Sequence, residues 1–302
     1  MHKFKPFVDS LIENITPLND PIQHNIILDG GAFNGSYHHG ALYYFSELEK
    51  KHYIKINKVS GTSIGALYGM FYILDDFDSG IEGYTVFRNT FKTDGNFNFA
   101  KKWLSDYKKN MREDSYKLCN GRLFITYYNI KKCKQVIVSK YKNNNHLVKT
   151  VLKSISIPFI YDGSLAYKDK YLDGFTPYIF NDKSIDNIYV NLHSSDRIKG
   201  MISTYYDKNS YSRILNGIDN AHQYFVKKQG NSLCSNMSQW GFNDKIKLYL
   251  KELFYYLLVK TIYVVFITKD FIPEPYLESI INSNFTTIIH KIYLLCINEF
   301  LV

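Results

Sequence analysis

Residues 25–74 read NIILDGGAFNGSYHHGALYYFSELEKKHYIKINKVSGTSIGALYGMFYIL, and this stretch decides the fold. A short apolar run at residues 25–28 predicts a buried strand, and apolar spacing from about residue 36 to 52 predicts a helix. The same order then repeats, with a strand predicted at 54–59 and an apolar helix at 66–74. Because each strand leads through a glycine turn into a helix, the pattern predicts a parallel sheet covered by helices on both faces.

The first glycine turn, at residues 29–35, reads Asp-Gly-Gly-Ala-Phe-Asn-Gly. Adjacent glycines let the backbone bend sharply and leave their amide N–H groups uncovered by side chains. With a helix N-terminus behind them, such amides form a pocket for negative charge. An ordinary strand-to-helix turn explains the glycines equally well. A dinucleotide site fits less well, because its motif needs a glycine where Ala32 stands.

The second glycine turn, at residues 61–65, reads Gly-Thr-Ser-Ile-Gly and also lies between a predicted strand and a predicted helix. On such a turn a serine is held with its Oγ exposed, and small neighbours allow the strained backbone. Ser63 would stand at a helix N-terminus, where the helix dipole favours an alkoxide. The pattern alone occurs often by chance, and packing glycines are the alternative, but the strand–turn–helix context favours a nucleophile.

A serine nucleophile needs a base, and the candidate is Asp173. It lies in the segment 171–175, Tyr-Leu-Asp-Gly-Phe, just after a predicted hairpin with strands at 165–167 and 170–172. Taken alone, its Asp-Gly pair indicates only a turn. The order of the three segments along the chain makes it informative.

Together these three segments resemble the patatin-like phospholipase family. Residues 154–159, Ser-Ile-Ser-Ile-Pro-Phe, are also similar to the small-residue-then-proline stretch ahead of the family's aspartate, and the resemblance covers roughly residues 22–200. It implies a Ser–Asp dyad without histidine, in which Ser63 attacks a lipid ester and Asp173 takes its proton and later activates water. It further implies that the oxyanion is held by the amides of Gly30, Gly31 and Ala32.

Two positions depart from the family's pattern. The family usually has a basic residue where this chain has Asn34, and losing that charge would weaken oxyanion stabilisation or change how the loop is anchored. The late motif is usually Asp-Gly followed by a small residue, whereas Phe175 follows here and would either reshape the pocket or turn into the core. A patatin-like fold with little activity, acting as a membrane-binding module, is therefore an alternative.

A second enzyme alternative is an α/β-hydrolase, because Ser63, Asp173 and His193 occur in that fold's Ser, Asp, His order. Against it, the serine turn follows only two predicted strands, and a single helix separates it from the glycine turn. We expect His193 to be a structural or surface histidine. No histidine–carboxylate cluster has metal-ligand spacing, so neither a metal nor another cofactor is expected.

The composition bears on partners. Hydrophobic residues make up 45% and charged residues 22%, which excludes a disordered or collagen-like chain. Lys and Arg outnumber Asp and Glu by 37 to 28, and the resulting charge of +9 favours an anionic partner. A phospholipid surface fits, whereas nucleic acid is not expected, since no zinc-finger or RNA-recognition signature accompanies the charge. A non-enzymatic membrane- or protein-binding module remains the alternative from another class.

These observations predict an α/β protein with a lead-in at 1–21, a three-layer α/β/α catalytic domain with a mainly parallel sheet at 22–205, and a mainly helical extension at 206–302. The most apolar run of the extension, 253–268, is short for a bilayer span and carries Lys260, which favours a buried or membrane-surface helix. The first 21 residues lack a signal-peptide pattern, and the four cysteines form no Cys-x-x-Cys pair. We therefore expect a cytoplasmic lipid acyl hydrolase, either free or peripheral on membranes.

Overall fold

The structure, a computed structural model, describes residues 1–16, 20–182, 184–201, 203–205 and 209–268. The strands in this part of the chain are β1 (Ile22–Leu28), β2 (Ile54–Thr62), β3 (Leu123–Asn129), β4 (Lys134–Val138), β5 (Tyr171–Leu172), β6 (Asp186–Val190) and β7 (Cys234–Asn236). The helices are α1 (Lys5–Glu13), α2 (Gly35–Lys50), α3 (Ile64–Ile73), α4 (Phe77–Asp94), α5 (Ala100–Asn110), α6 (Ser115–Cys119), α7 (Asn144–Ser154), α8 (Tyr211–Lys227) and α9 (Phe242–Thr268).

The strands form one sheet in the order β4-β3-β2-β1-β6-β7, and β5 pairs with β3 outside this path. The four central strands β3, β2, β1 and β6 are parallel. The flanking strands β4, β5 and β7 pair antiparallel. Strand–helix–strand connections place successive strands side by side in the same direction, as in β1–α2–β2. The predicted α/β fold with a mainly parallel sheet is confirmed.

Strand β1 contributes to two apolar layers. Ile26 and Leu28 are fully buried in the larger core, which also contains the apolar residues of α2 and α3. Ile27 is buried in a smaller cluster with Phe180 and Tyr189, against which Leu248 of α9 also packs. Because successive side chains of a strand point to opposite faces, both faces of the sheet are covered at its centre.

The chain after residue 205 contacts the preceding part closely. Helix α8 packs along α2 and contributes Ile214, Ile218 and Ala221 to the larger core. Strand β7 pairs with β6 and extends the sheet. The division of the chain at residue 205 therefore stays a prediction, while the long C-terminal helix α9 is confirmed.

Helix α9 begins at Phe242, earlier than the apolar run that predicted it. Val259 and Ile262 are buried. Most other apolar side chains of this helix are exposed, including Phe254 at 61% and Leu257 at 55%. The alternative of a buried helix at 253–268 is therefore wrong for most of this segment. Among the residues described, no helix combines the length and apolar character needed to cross a bilayer.

The hairpin expected before Asp173 is reduced to one bridge between Tyr167 and Tyr171. Its turn is as expected, since Lys168 and Asp169 have φ values of 54° and 50°. The second strand of the expected hairpin, β5, pairs with β3 instead. This pairing attaches the segment before Asp173 directly to the sheet.

Candidate active site

Ser63 lies on a sharp turn between β2 and α3. Its φ of 52° and ψ of −127° are rarely adopted by residues other than glycine and cost on the order of 1–3 kcal/mol. The Ser63 N–H donates to Ser154 Oγ at 2.9 Å, which fixes the turn to the end of α7. A glycine is required at position 65, because a Cβ there would stand 2.6 Å from the carbonyl oxygen of Asp29. This is the strand–turn–helix geometry in which a serine hydroxyl serves as a nucleophile.

The glycine turn after β1 lies against this serine. A Cβ on Gly30 would be 3.3 Å from the Cβ of Ser63. The Gly30 N–H donates to Asp29 Oδ1 at 3.1 Å. The amides of Gly31 and Ala32 donate to none of the residues that the structure describes. Two of the three amides expected to hold an oxyanion are thus available for a ligand.

Asp173 is buried next to the serine turn. Its Oδ1 accepts the N–H of Phe175 at 2.8 Å, and its Oδ2 has no full hydrogen bond within the described chain. Burial raises the pKa of Asp173 to about 7, although the approaching Ser63 hydroxyl and the Phe175 N–H favour the anion. A Cβ at Gly174 would stand 2.3 Å from Thr62 Oγ1, which shows how closely the two segments approach. The structure therefore brings together Ser63, Asp173 and the glycine turn.

An apolar pocket of about 50 Å³ opens beside Ser63 and Ala32. Its walls include six aromatic side chains, Phe33, Tyr68, Phe71, Tyr84, Phe87 and Phe97. A hydrocarbon chain attached to an ester carbonyl at Ser63 would lie against these rings and be removed from water.

The model of one protein family, the patatin-like phospholipase domain, matches residues 26–176, which is half of the chain. The chain belongs to the patatin-like phospholipase family. A search of curated proteins matched none to this chain. Membership implies lipid acyl hydrolysis, and the matched region contains Ser63, Asp173 and the glycine turn. Helices α8 and α9 lie outside the matched region of this patatin-like protein.

Asn34, which stands where patatin-like proteins usually have a basic residue, is fully buried and anchors the glycine turn. Its Nδ2 donates to the carbonyl oxygens of Leu192 at 3.3 Å and Arg197 at 2.9 Å. Its Oδ1 accepts from the guanidinium of Arg213 at 3.1 Å. The loop is therefore anchored, and α8 supplies a positive charge beside it. Sequence reasoning missed Arg213 because it follows Asn34 by 179 positions and carries no motif.

Phe175 turns into the core rather than into the pocket. Its backbone has a φ of 54°, and its ring stacks on Tyr255 of α9 with centroids 5.2 Å apart. The small apolar cluster around it also contains Val259 and Ile262. We expected this bulky residue either to reshape the pocket or to turn into the core, and the structure shows the second.

His193 does not join Ser63 and Asp173. Its Nδ1 lies 2.8 Å from Asp29 Oδ2, and its Nε2 lies 3.1 Å from the Tyr255 hydroxyl. Both ring nitrogens are thus engaged by other residues, and the alternative Ser–Asp–His triad is not formed. In the described ranges, no group of three His, Cys, Asp or Glu residues is placed to hold a metal ion.

Asp29 is the centre of a buried polar cluster that the sequence did not predict. Its carboxylate is fully buried, accepts from the Tyr189 hydroxyl at 3.1 Å, and contacts Lys251 through both oxygens. Burial alone would raise the pKa of Asp29, but the charges and hydrogen bonds of Lys251 and His193 outweigh it and hold this pKa well below its usual value. Asp29 is therefore a stable anion directly before the glycine turn.

Proposed function

We propose that the protein hydrolyses the acyl esters of lipids, phospholipids among them, with Ser63 as nucleophile and Asp173 as base. The observation that carries this proposal is the strained turn of Ser63 beside a buried carboxyl group and two amides that donate to no residue in the described part of the chain. The family supports the activity class. The geometry supports the roles that we assign to individual residues.

In the first half of the reaction, Ser63 Oγ attacks the ester carbonyl carbon while the Asp173 carboxylate accepts the hydroxyl proton. The negative oxygen that forms accepts hydrogen bonds from the amides of Gly31 and Ala32. We assign it to these two amides because Gly30 already donates to Asp29. The intermediate collapses, the alcohol leaves with the proton from Asp173, and the acyl group remains on Ser63.

In the second half, water donates a proton to Asp173 and attacks the acyl-enzyme carbonyl. The same two amides hold the second oxyanion, and the carboxylic acid leaves as Ser63 regains its proton. An exposed carboxyl group with a pKa near 4 would be a weak base at pH 7. Burial removes this difficulty, because it raises the pKa of Asp173 to about 7.

Two features of the protein would contact a lipid substrate: the pocket beside Ser63 and the exposed surface of α9. The first carbons of the acyl chain would occupy the aromatic pocket beside Ser63. The net charge of +9 and the exposed apolar residues of α9, among them Phe254 and Leu257, support association with anionic phospholipid surfaces.

The experiment is fluorophosphonate labelling with the adduct mapped by peptide mass, together with hydrolysis of nitrophenyl esters and fluorescent phospholipids. Ser63→Ala should lose the label, and Ser63→Ala and Asp173→Asn should each lower kcat by at least about 10³-fold. Ser10→Ala, at a solvent-facing position of α1, is the matched control and should keep full activity. A label on another residue, or an active Asp173→Asn, would contradict the assignment. Vesicle binding without any hydrolysis would favour the membrane-binding module instead.

A further inference from the structure

We propose that Lys251 of α9 is a positioning residue of the active site. It holds the Asp29 carboxylate against the Gly30 amide, which steadies the start of the glycine turn and leaves the amides of Gly31 and Ala32 to face the substrate. This inference rests on the proposed function, since it concerns the same oxyanion donors.

The first step is the ion pair itself. Lys251 lies 222 positions after Asp29 and contacts both of its carboxylate oxygens, with 16% of its own side chain exposed and none of the Asp29 side chain. A buried carboxylate without a counter-charge is strongly unfavourable. Without Lys251, this buried carboxylate would keep only the hydrogen bonds of Tyr189, His193 and Gly30, and it would be held less firmly.

The second step leads from Asp29 to the glycine turn. The backbone of Asp29 is fixed on both sides, because its N–H donates to the Val190 carbonyl at 3.2 Å and its carbonyl oxygen lies 2.7 Å from His38 Nε2. Its Oδ1 accepts the Gly30 N–H at 3.1 Å. The Gly30 N–H and the Asp29 carbonyl belong to one planar peptide unit, so the Asp29 carboxylate and His38 hold this unit at its two ends. The Lys251–Asp29 pair thus helps to fix the peptide unit from which the glycine turn starts.

The third step is that α9 contacts the other half of the site as well. Tyr255, one helical turn after Lys251, stacks on Phe175, and the N–H of Phe175 donates to Asp173 Oδ1. The Tyr255 hydroxyl also lies 3.1 Å from Nε2 of His193, whose Nδ1 reaches Asp29. One face of α9 therefore supports both the glycine turn and the segment that carries the base.

The test uses Lys251→Ala in the full chain, because Lys251 lines a cleft of about 1090 Å³ that would admit a small amine. We expect kcat for ester hydrolysis to fall at least about 10-fold with a KM changed by less than about threefold, since oxyanion donors act on the transition state. Propylamine should restore kcat in a concentration-dependent way, and Lys251→Arg should retain more activity than Lys251→Ala. Lys247→Ala is the matched control, because Lys247 lines the same cleft and is not a partner of Asp29.

A folded Lys251→Ala with the wild-type kcat, or a reduced kcat that amines do not restore, would overturn the inference. If Lys251→Ala does not fold, the double variant Asp29→Ala/Lys251→Ala removes both charges together, so that no buried carboxylate is left without its lysine. We expect it to fold and to show a kcat at least about 10-fold below that of the wild type, since the Gly30 amide has lost its acceptor. Wild-type kcat in that variant would also overturn the inference. A wild-type protein that hydrolyses no lipid ester would refute the proposed function, and the inference with it.

Discussion

Ser154 Oγ accepts the backbone N–H of Ser63 at 2.9 Å, and the carbonyl oxygen of the same Ser154 accepts the N–H of Gly174 at 3.2 Å. Ser154 is fully buried at the end of α7, so water cannot replace either contact. One residue thereby sets the separation between the proposed nucleophile and the segment of the proposed base, although it takes no part in the chemistry.

Ser154→Ala should therefore lower stability and activity together. The variant leaves the buried N–H of Ser63 without an acceptor, which costs about 1–3 kcal/mol in free energy of unfolding. Urea denaturation measures this loss, and kcat for ester hydrolysis should fall in parallel as the serine turn relaxes. Ser10→Ala on α1, at an exposed position, is the control and should change neither quantity. An unchanged unfolding free energy in Ser154→Ala would show that this contact is not important.

The backbone strain at Ser63 predicts that a glycine variant is more stable there than an alanine variant, the reverse of the order expected inside a helix. Glycine adopts a positive φ freely and alanine does not, so Ser63→Gly should be more stable than Ser63→Ala by about 1 kcal/mol or more. At the buried position Ser36 in α2, the order should reverse, with Ser36→Gly less stable than Ser36→Ala by about 1 kcal/mol. Thermal denaturation of the four variants checks both differences. The same order at both positions would mean that the Ser63 turn is unstrained.

The raised pKa of Asp173 predicts how activity depends on pH. Since the base must be deprotonated, kcat/KM should rise with pH around a midpoint near 7, the value to which burial raises the pKa of this carboxyl group. Initial rates of nitrophenyl ester hydrolysis from pH 5 to 9 measure the profile. A midpoint near 4 would place the base in a solvated environment.

The same group predicts the opposite trend for stability. The folded protein keeps Asp173 protonated at pH values above 3.8, the ordinary pKa of this group. The stability that this proton contributes is therefore fully present below pH 3.8 and is lost as the pH rises through about 7. The difference between these two pKa values corresponds to about 4 kcal/mol in the free energy of unfolding. Asp173→Asn should remove it, and urea denaturation at pH 5 and pH 8 should show a smaller change in the variant than in the wild type.

The sequence predicted the parts of the site that depend on local order along the chain. A strand followed by a glycine turn and a helix has a recognisable pattern within about ten residues, and this pattern located both Ser63 and the glycine turn. The Asp-Gly pair at Asp173 became informative only through its order after the other two segments. Nothing in those segments indicates how the pieces pack in space, so the Ser154 contacts were not predictable.

The parts that the sequence did not predict depend on distant partners. The sequence around Lys251 does not indicate that its side chain pairs with Asp29, which lies far away along the chain. The sequence around Arg213 likewise does not indicate its contact with Asn34. For the apolar run of α9 the sequence left a buried helix and a membrane-surface helix open, because an apolar helix is buried only where other elements supply a surface for it. Strand β7 has only three residues, too few for a periodic pattern.

The aromatic pocket predicts a dependence on acyl-chain length. A cavity of about 50 Å³ holds only a few water-sized groups, so the wild type should cleave short-chain nitrophenyl esters faster than long ones. Phe87→Ala removes one ring from the pocket wall and should move the optimum to longer chains. Phe99→Ala is the matched control, because the Phe99 ring packs on the Phe87 ring, with centroids 4.7 Å apart, but does not line the pocket. A series of esters with two to sixteen acyl carbons, measured as kcat/KM, distinguishes the variants, and identical optima in all three proteins would place the acyl chain elsewhere.

Membrane association should have a charged and an apolar component that can be separated. Binding to vesicles of anionic phospholipid should fall from low to high ionic strength, because exposed charges are screened beyond about 10 Å at 0.1 M salt and about 3 Å at 1 M. Phe254→Ser combined with Leu257→Ser removes exposed apolar surface from α9 and should weaken binding at every salt concentration. Val226→Ser on α8, where the side chain is 53% exposed, is the control and should leave binding unchanged. Sedimentation with vesicles measures both the salt dependence and the effect of the α9 substitutions. Binding that does not change with salt would contradict the electrostatic component. Equal binding by the α9 variant and the control would exclude this helix from the contact surface.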